Sequence, residues 1–211
     1  MKLLEFSGID GSGKTTSLAF LAKYLTDKGL KVASIKEVGN QYIPEAVELR
    51  KLVLNPNSKL SNLTMESIFL GMAIENAEWI KANEDKYDYI LCDRGFACKY
   101  AYGKAQTNNN PIMNQILNIH PNFRYSALSV YFRITPEQAL ERRISRGEAA
   151  DRIEAQGQEY QRTVFNNYEE YFMKNSLKSH VIDASKSIEE VQSQLIELVD
   201  ALEWDLKSGA W

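Results

Sequence analysis

Eight residues near the N-terminus, Gly8-Ile9-Asp10-Gly11-Ser12-Gly13-Lys14-Thr15, satisfy the pattern G-x-x-x-x-G-K-[ST]. Gly8, Gly11 and Gly13 let backbone N–H groups, those of Ser12 and Thr16 among them, turn inward around a phosphate. Lys14 then reaches the β and γ oxygens, and Thr15 offers a hydroxyl to Mg²⁺. A chance glycine-rich turn would lack the right flanks. Here the apolar run Leu3-Leu4-Glu5-Phe6 precedes the string as a strand. Leu18, Leu21, Ala22 and Leu25 follow on one face of a helix, whose positive end adds to the field. The string predicts binding of a nucleoside triphosphate.

Two further groups of charged residues suit the same chemistry. Asp93-Arg94 follows a strand expected to lie beside the first. Its carboxylate can hold Mg²⁺ through water, and its arginine can bridge donor and acceptor phosphates. Taken alone, the pair reads equally as a surface salt bridge; beside a phosphate loop, phosphoryl transfer is the better reading. Arg142, Arg143, Arg146 and Arg152 surround Gly147 and are interleaved with Glu141, Glu148, Asp151 and Glu154. They form either a solvated, charge-paired face or a lid over residues 143–156 that closes on the triphosphate. Arginine suits a lid because its planar fork grips phosphate oxygens. Arg152 and Arg142 rank ahead of Arg143 for that work.

The elements that must position these residues alternate between short apolar runs and longer helical spacings. Residues 30–35, 87–92, 128–134 and 180–183 read as further strands, and 45–54 and 63–82 as helices. Thr135-Pro136-Glu137-Gln138 starts a helix with a capping box and a proline at its first position, and Ser187 opens the last helix by the same logic. The alternation predicts an α/β fold, a parallel sheet with helices on both faces. Such sheets bind ligands at the carboxyl ends of their strands, where Asp10, Glu37, Asp93 and Asp183 all fall. Residues 106–111 read as a surface loop and 207–211 as a loose tail, leaving one domain over 1–206.

Composition narrows the function classes. A hydrophobic fraction of 44% and a charged fraction of 25% are ordinary for a globular chain. A net charge of −3 offers no general attraction to nucleic acid polymers or anionic membranes. No apolar run approaches the roughly 20 residues of a membrane span, and no signal peptide is expected. Cys92 and Cys98 lack a metal-ligand pattern and read as free thiols of a cytoplasmic protein.

The succession FSGIDGSGKTT, KEVGN with LRKLVLN, CDRGFACKYAY, YFRITPEQALERRISRGEAADRIE and VIDAS resembles the thymidylate kinase family, from about residue 3 to the last helix. The resemblance implies a P-loop fold with a five-stranded parallel sheet and an arginine-rich lid. It also implies transfer of the γ-phosphoryl of ATP to the 5′-phosphate of dTMP, a need for Mg²⁺, and a homodimer. By the same resemblance Lys14 and the loop amides cradle the ATP phosphates, Thr15 and Asp93 serve the metal, and Asp10 lies near metal and acceptor. Arg94 sits between donor and acceptor, Arg50 holds the monophosphate, and Glu37 lies in the acceptor-side loop. Arg142 packs on adenine, which the loop at Ala184 wraps, and Arg146 and Arg152 are lid arginines. With Gly11 not basic, the catalytic arginine is expected from the lid. Tyr102 crowds the 2′ position and favours deoxyribose.

Departures from the family pattern gather where the base would lie. Met72 stands at the position of a stacking aromatic, with Phe69 as the alternative, and Asn76 at that of a base-reading arginine. Lys99 replaces a small polar or amide residue, Glu37-Val38-Gly39 an E-P-G string, and Asp93-Arg94-Gly95 a D-R-Y string. Methionine can still cover a base and asparagine can still pair with one. The expected activity is therefore that of a dTMP kinase, with a kinase for another nucleoside monophosphate as alternative. A deoxynucleoside kinase and a non-catalytic P-loop switch remain as further readings; against the switch, no guanine-reading N/T-K-x-D string follows a later strand.

Overall fold

The computed structural model describes residues 1–107, 128–147 and 152–208. Five strands, β1 (Lys2–Ser7), β2 (Val32–Lys36), β3 (Tyr89–Asp93), β4 (Leu128–Arg133) and β5 (Ser179–Asp183), form one parallel sheet in the order β2-β3-β1-β4-β5. The strands carry near-continuous apolar runs because the sheet is buried on both faces. Side chains alternate across it: Leu3, Ile90 and Cys92 pack with Ile80, whereas Leu4, Phe6 and Leu91 join the larger core with Leu18 and Leu21.

Seven helices are described: α1 (Lys14–Asp27), α2 (Pro44–Leu54), α3 (Asn62–Asn83), α4 (Phe96–Thr107), α5 (Pro136–Arg146), α6 (Gln158–Lys174) and α7 (Ile188–Ser208). The expected capping box of α5 is present. The Gln138 N–H donates to Thr135 Oγ1 at 3.3 Å, and the Thr135 N–H to Gln138 Oε1 at 3.4 Å. Ser187 and Glu190 exchange the same pair of bonds ahead of α7.

Two expectations need correction. Gln106 and Thr107 do not begin a loop but complete α4, whose packing on α6 includes a bond from Asn167 Nδ2 to the Ala101 carbonyl at 2.9 Å. Tertiary contact outweighs the polar composition that suggested a loop, and residues 108–111 lie outside the described residues. At the other end α7 continues to Ser208, two residues beyond the expected domain limit. Among the described residues no helix is long and apolar enough to cross a membrane.

Candidate active site

The carboxyl ends of β1 and β3 lie side by side, with Phe6 in register with Asp93, and the chain leaves each strand by a tight turn. From β1 it enters the phosphate loop, where Gly8, Gly11 and Gly13 all hold positive φ. A Cβ on Gly8 would meet the Phe132 carbonyl oxygen at 2.7 Å, so the loop closes only with glycine there. Lys14 is 5% exposed. Its ammonium donates to the carbonyls of Gly8 (2.8 Å) and Ile9 (2.9 Å) and to Ser12 Oγ (3.2 Å). Burial, then Arg94, pull its pKa below the usual lysine value, opposed by Asp10 and Asp93. Phosphate oxygens are charged acceptors and the stronger partners for the same donors.

From β3 the chain turns through Arg94, which has φ 77° and is the one non-glycine residue with positive φ among those described. Holding an arginine there costs on the order of 1–3 kcal/mol, and its surroundings enforce it. The Arg94 N–H donates to the Phe6 carbonyl at 2.9 Å, Nη1 to Cys98 Sγ at 3.1 Å, and Nη2 is ion-paired with Asp10. The guanidinium also lies 5.2 Å from the centre of the Tyr102 ring. Tyr102 donates to Asp10 Oδ2 at 3.1 Å. Burial disfavours the Asp10 charge, but Arg94, Lys14, this hydroxyl and Arg143 together hold its pKa below the ordinary carboxylate value. At Gly95 the side chain of Glu5 fills the space beside the backbone: a Cβ there would come within 2.7 Å of the Glu5 Cβ.

Thr15 Oγ1 lies 3.1 Å from Asp93 Oδ2. A hydroxyl beside a carboxylate is a donor set for a hard cation that keeps most of its ligands as water and phosphate oxygen, as Mg²⁺ does. Among the described residues no group of three or more His, Cys, Asp or Glu side chains could hold a metal by itself.

Two hollows meet at this point. A polar cleft runs along the phosphate loop past Lys14, Thr15, Thr16, Asp93 and Arg143. A narrower cavity runs alongside α4, lined by Glu37, Glu66, Phe69, Lys99, Tyr102 and Gln106. Asp10, Val38, Arg50 and Arg94 border both. Arg50 Nη1 donates to the Val38 carbonyl at 2.8 Å, and Gly39, at φ 80°, leaves room for the stem of that arginine.

The structure therefore gathers Asp10, Glu37, Arg50, Arg94, Lys99 and Tyr102 at the narrower cavity but places Met72 and Asn76 elsewhere. Met72 is 1% exposed and packs with Ala46 and Val53; Phe69, one turn earlier on α3, is the aromatic that reaches the cavity. Asn76 is buried, and its amide is spent on the β2–α2 connection. It accepts from Asn40 Nδ2 at 2.8 Å and donates to the carbonyls of Glu37 (2.8 Å) and Lys36 (3.3 Å). Lys99 is ion-paired with Glu37, both side chains under 10% exposed.

Arg142 Nη1 donates to the Ala184 carbonyl at 2.8 Å, tying α5 to the turn after β5. Asp183 shapes that turn by accepting from the N–H (3.1 Å) and hydroxyl (2.5 Å) of Ser185 and lines neither hollow. Arg152 donates from Nη2 to the Leu60 carbonyl at 2.6 Å, docked on the α2–α3 connection and away from the phosphate cleft. The side chain of Arg146, with Glu148 and Asp151, lies outside the described residues. Arg143 lies over Gly11, paired with Glu154 at 3.6 Å. Sequence reasoning ranked Arg143 low and passed over Glu66 and Gln106. The spacing of Lys99, Tyr102, Gly103 and Gln106 on one helical face was the signal for the last.

A parallel sheet of this order, with a phosphate loop leaving its central strand and an acceptor hollow beside it, defines the P-loop kinases of nucleoside monophosphates. The family profile described as thymidylate kinase matches residues 6–195. The thymidylate kinase of Symbiobacterium thermophilum is 30% identical over 200 residues, covering 93% of this chain and 92% of that one. Those of Thermosipho melanesiensis and Chlorobaculum tepidum are 32% and 31% identical, covering 94% and 95% of this chain and 98% and 97% of theirs. The chain belongs to the thymidylate kinase family.

Proposed function

We propose that this chain moves the γ-phosphoryl group of MgATP to the 5′-phosphate of dTMP, giving dTDP and ADP. The observation that carries the reading is the junction of the two hollows. Arg50 and Arg94, with Asp10, border both the phosphate cleft and the cavity beside α4. Two arginines at that junction suit an acceptor that already bears a phosphate; a nucleoside acceptor would need a base for its 5′-hydroxyl instead. Phosphoryl transfer runs on positioning and charge neutralisation. Lys14 and the amides of Gly8–Thr16 hold the donor phosphates, and Arg94, oriented by Asp10, holds both phosphates in line. Thr15 and Asp93 would hold Mg²⁺, which would supply positive charge to neutralise the donor phosphates. Arg142 and the Ala184 turn take the adenine, Glu37 supports the acceptor side, and the ring of Tyr102 crowds a ribose 2′-hydroxyl. Arg146 and Arg152 belong to a lid that completes the site on closure. The enzyme is expected to work in the cytoplasm as a homodimer, with a solution mass twice the 24.1 kDa of one chain.

Coupled turnover of ATP with a panel of nucleosides and monophosphates tests the reading. dTMP should be the best acceptor, and Lys14→Ala should abolish transfer while circular dichroism shows an intact fold. A folded Lys14→Ala protein of near-normal turnover would refute the assignment, and a nucleoside preferred over every monophosphate would replace it.

A further inference from the structure

We infer that Glu5 is a positioning residue for Arg94: from the central strand it caps the first turn of α4 and so fixes the turn that carries this arginine. The inference rests on the work proposed above for Arg94 and names what holds that residue in place. β1 is the middle strand of the sheet, where cover on both faces calls for apolar side chains. Glu5 stands there half-buried, in register with Cys92 on one side and Ser129 on the other. A carboxyl group in such a place is costly unless donors engage it. One donor is the Phe96 N–H, 3.3 Å from Glu5 Oε2.

Phe96 is the first residue of α4, and the first N–H groups of a helix lack acceptors within it. The side chain of the residue just ahead commonly meets one of them. Here that residue is Gly95, which has no side chain; its carbonyl accepts from the N–H groups of Cys98 (3.0 Å) and Lys99 (3.3 Å) as the helix opens. Glu5 supplies the acceptor from the adjacent strand instead, and its carboxylate suits the positive end of α4. A Cβ on Gly95 would lie 2.6 Å from Glu5 Oε2, so this cap and a side chain at 95 exclude one another. The Phe96 ring is anchored as well, tilted against Tyr171 of α6 with centres 6.0 Å apart. Arg94 therefore lies between ties to adjacent residues of β1. Its own N–H donates to the Phe6 carbonyl at 2.9 Å, and the Phe96 N–H donates to Glu5. The positive φ of Arg94, 77°, is held between those ties, and its side chain borders both hollows. Releasing the tie to Glu5 lets the strained turn relax. A shift of about 1 Å in a group that positions reacting phosphates costs on the order of 10²-fold in rate.

The test measures dTMP kinase kinetics and thermal unfolding for wild type, Glu5→Gln, Glu5→Val and Gly95→Ala. Glutamine keeps an acceptor at the same reach, valine leaves an apolar strand residue without one, and alanine at 95 pushes the carboxylate off the Phe96 N–H. Glu5→Val and Gly95→Ala should each lower kcat about 10–100-fold, with the KM for ATP within about twofold of wild type because the phosphate loop is untouched. Glu5→Gln should keep kcat within about fivefold of wild type. Combining Glu5→Val with Gly95→Ala should cost little more than either alone, since both remove the same tie. If Glu5→Val does not fold, Gly95→Ala carries the same expectation from the other side of the contact. Unimpaired kcat in folded Glu5→Val or Gly95→Ala would overturn the inference. So would a glutamine variant no better than valine, or activity that falls only with the folded fraction, as a merely structural role requires. An active wild type with unimpaired variants overturns this inference alone; a wild type that does not phosphorylate dTMP overturns the proposed function with it.

Discussion

Five cationic side chains, Lys14, Lys36, Arg50, Arg94 and Arg143, border the phosphate cleft, and their partners assign them different work. Lys14 and Arg94 are held from several sides and act as fixed charges. Arg143 is looser: one ion pair at 3.6 Å to Glu154, and a buried Nε without a partner. A guanidinium so placed can move onto a developing negative charge, an interaction made in the transition state more than in the ground state. Arg143→Ala should therefore lower kcat on the order of 10²–10³-fold with little change in the KM for ATP. Arg152→Ala is the comparison, because Arg152 is docked on the Leu60 carbonyl. If steady-state kinetics show the larger kcat loss in Arg152→Ala, the transferring group is served by the closed lid and not by Arg143.

At the scale of elements, the connection between β2 and α2 carries Glu37 to the narrower cavity and is held by α3. Asn40 and Asn76 bond across it, and Asn76 also caps the carbonyls of Lys36 and Glu37. Asn76→Ala leaves two buried carbonyls and the Asn40 amide short of partners. It should cost about 1–3 kcal/mol of stability in chemical denaturation and raise the KM of the acceptor while leaving that of ATP alone. Equal rises in both constants would contradict a local role for this brace. The helix α4 brings three side chains to the narrower cavity at once, because Lys99, Tyr102 and Gln106 recur at helical spacing. Its first residues follow directly on the turn at Arg94, so that arginine and the helix face lining the narrower cavity are set by one rigid element.

At the scale of the whole molecule, Glu66 ties stability to pH near neutrality. Burial raises its pKa from 4.5 to about 7, opposed in part by Lys99. Between those values the folded chain keeps a proton that the unfolded chain has released. Stability is therefore lost as pH rises through this window, and the penalty is complete above it. Glu66→Gln removes the penalty. Its Tm should match wild type near pH 4 and exceed it increasingly up to pH 7–8, by an amount worth at most about 3 kcal/mol and less as solvent screens the site. A gap between the two proteins that did not change with pH would show that Glu66 stays ionised in the fold.

Local pattern was enough for the parts of this protein that depend on local physics. The phosphate loop, the strand before it and the helix after it are written in glycine spacing and helical periodicity within the first 25 residues. The caps of α5 and α7 and the β–α alternation are equally short-range, and from them follow the sheet class and the placing of Asp10, Glu37 and Asp93 at strand ends. What the charged and amide side chains are spent on could only come from the tertiary structure. Lys99 meets Glu37, Asn76 meets Asn40, and Arg94 meets Asp10 because the order β2-β3-β1 sets segments 36 to 84 residues apart against one another. The same packing sinks Met72 into the core and brings Phe69 to the cavity. Residue type and spacing show which groups can do chemistry; the fold decides what each is paired with, because a ligand gains only where it is a stronger partner than the one already held inside the protein.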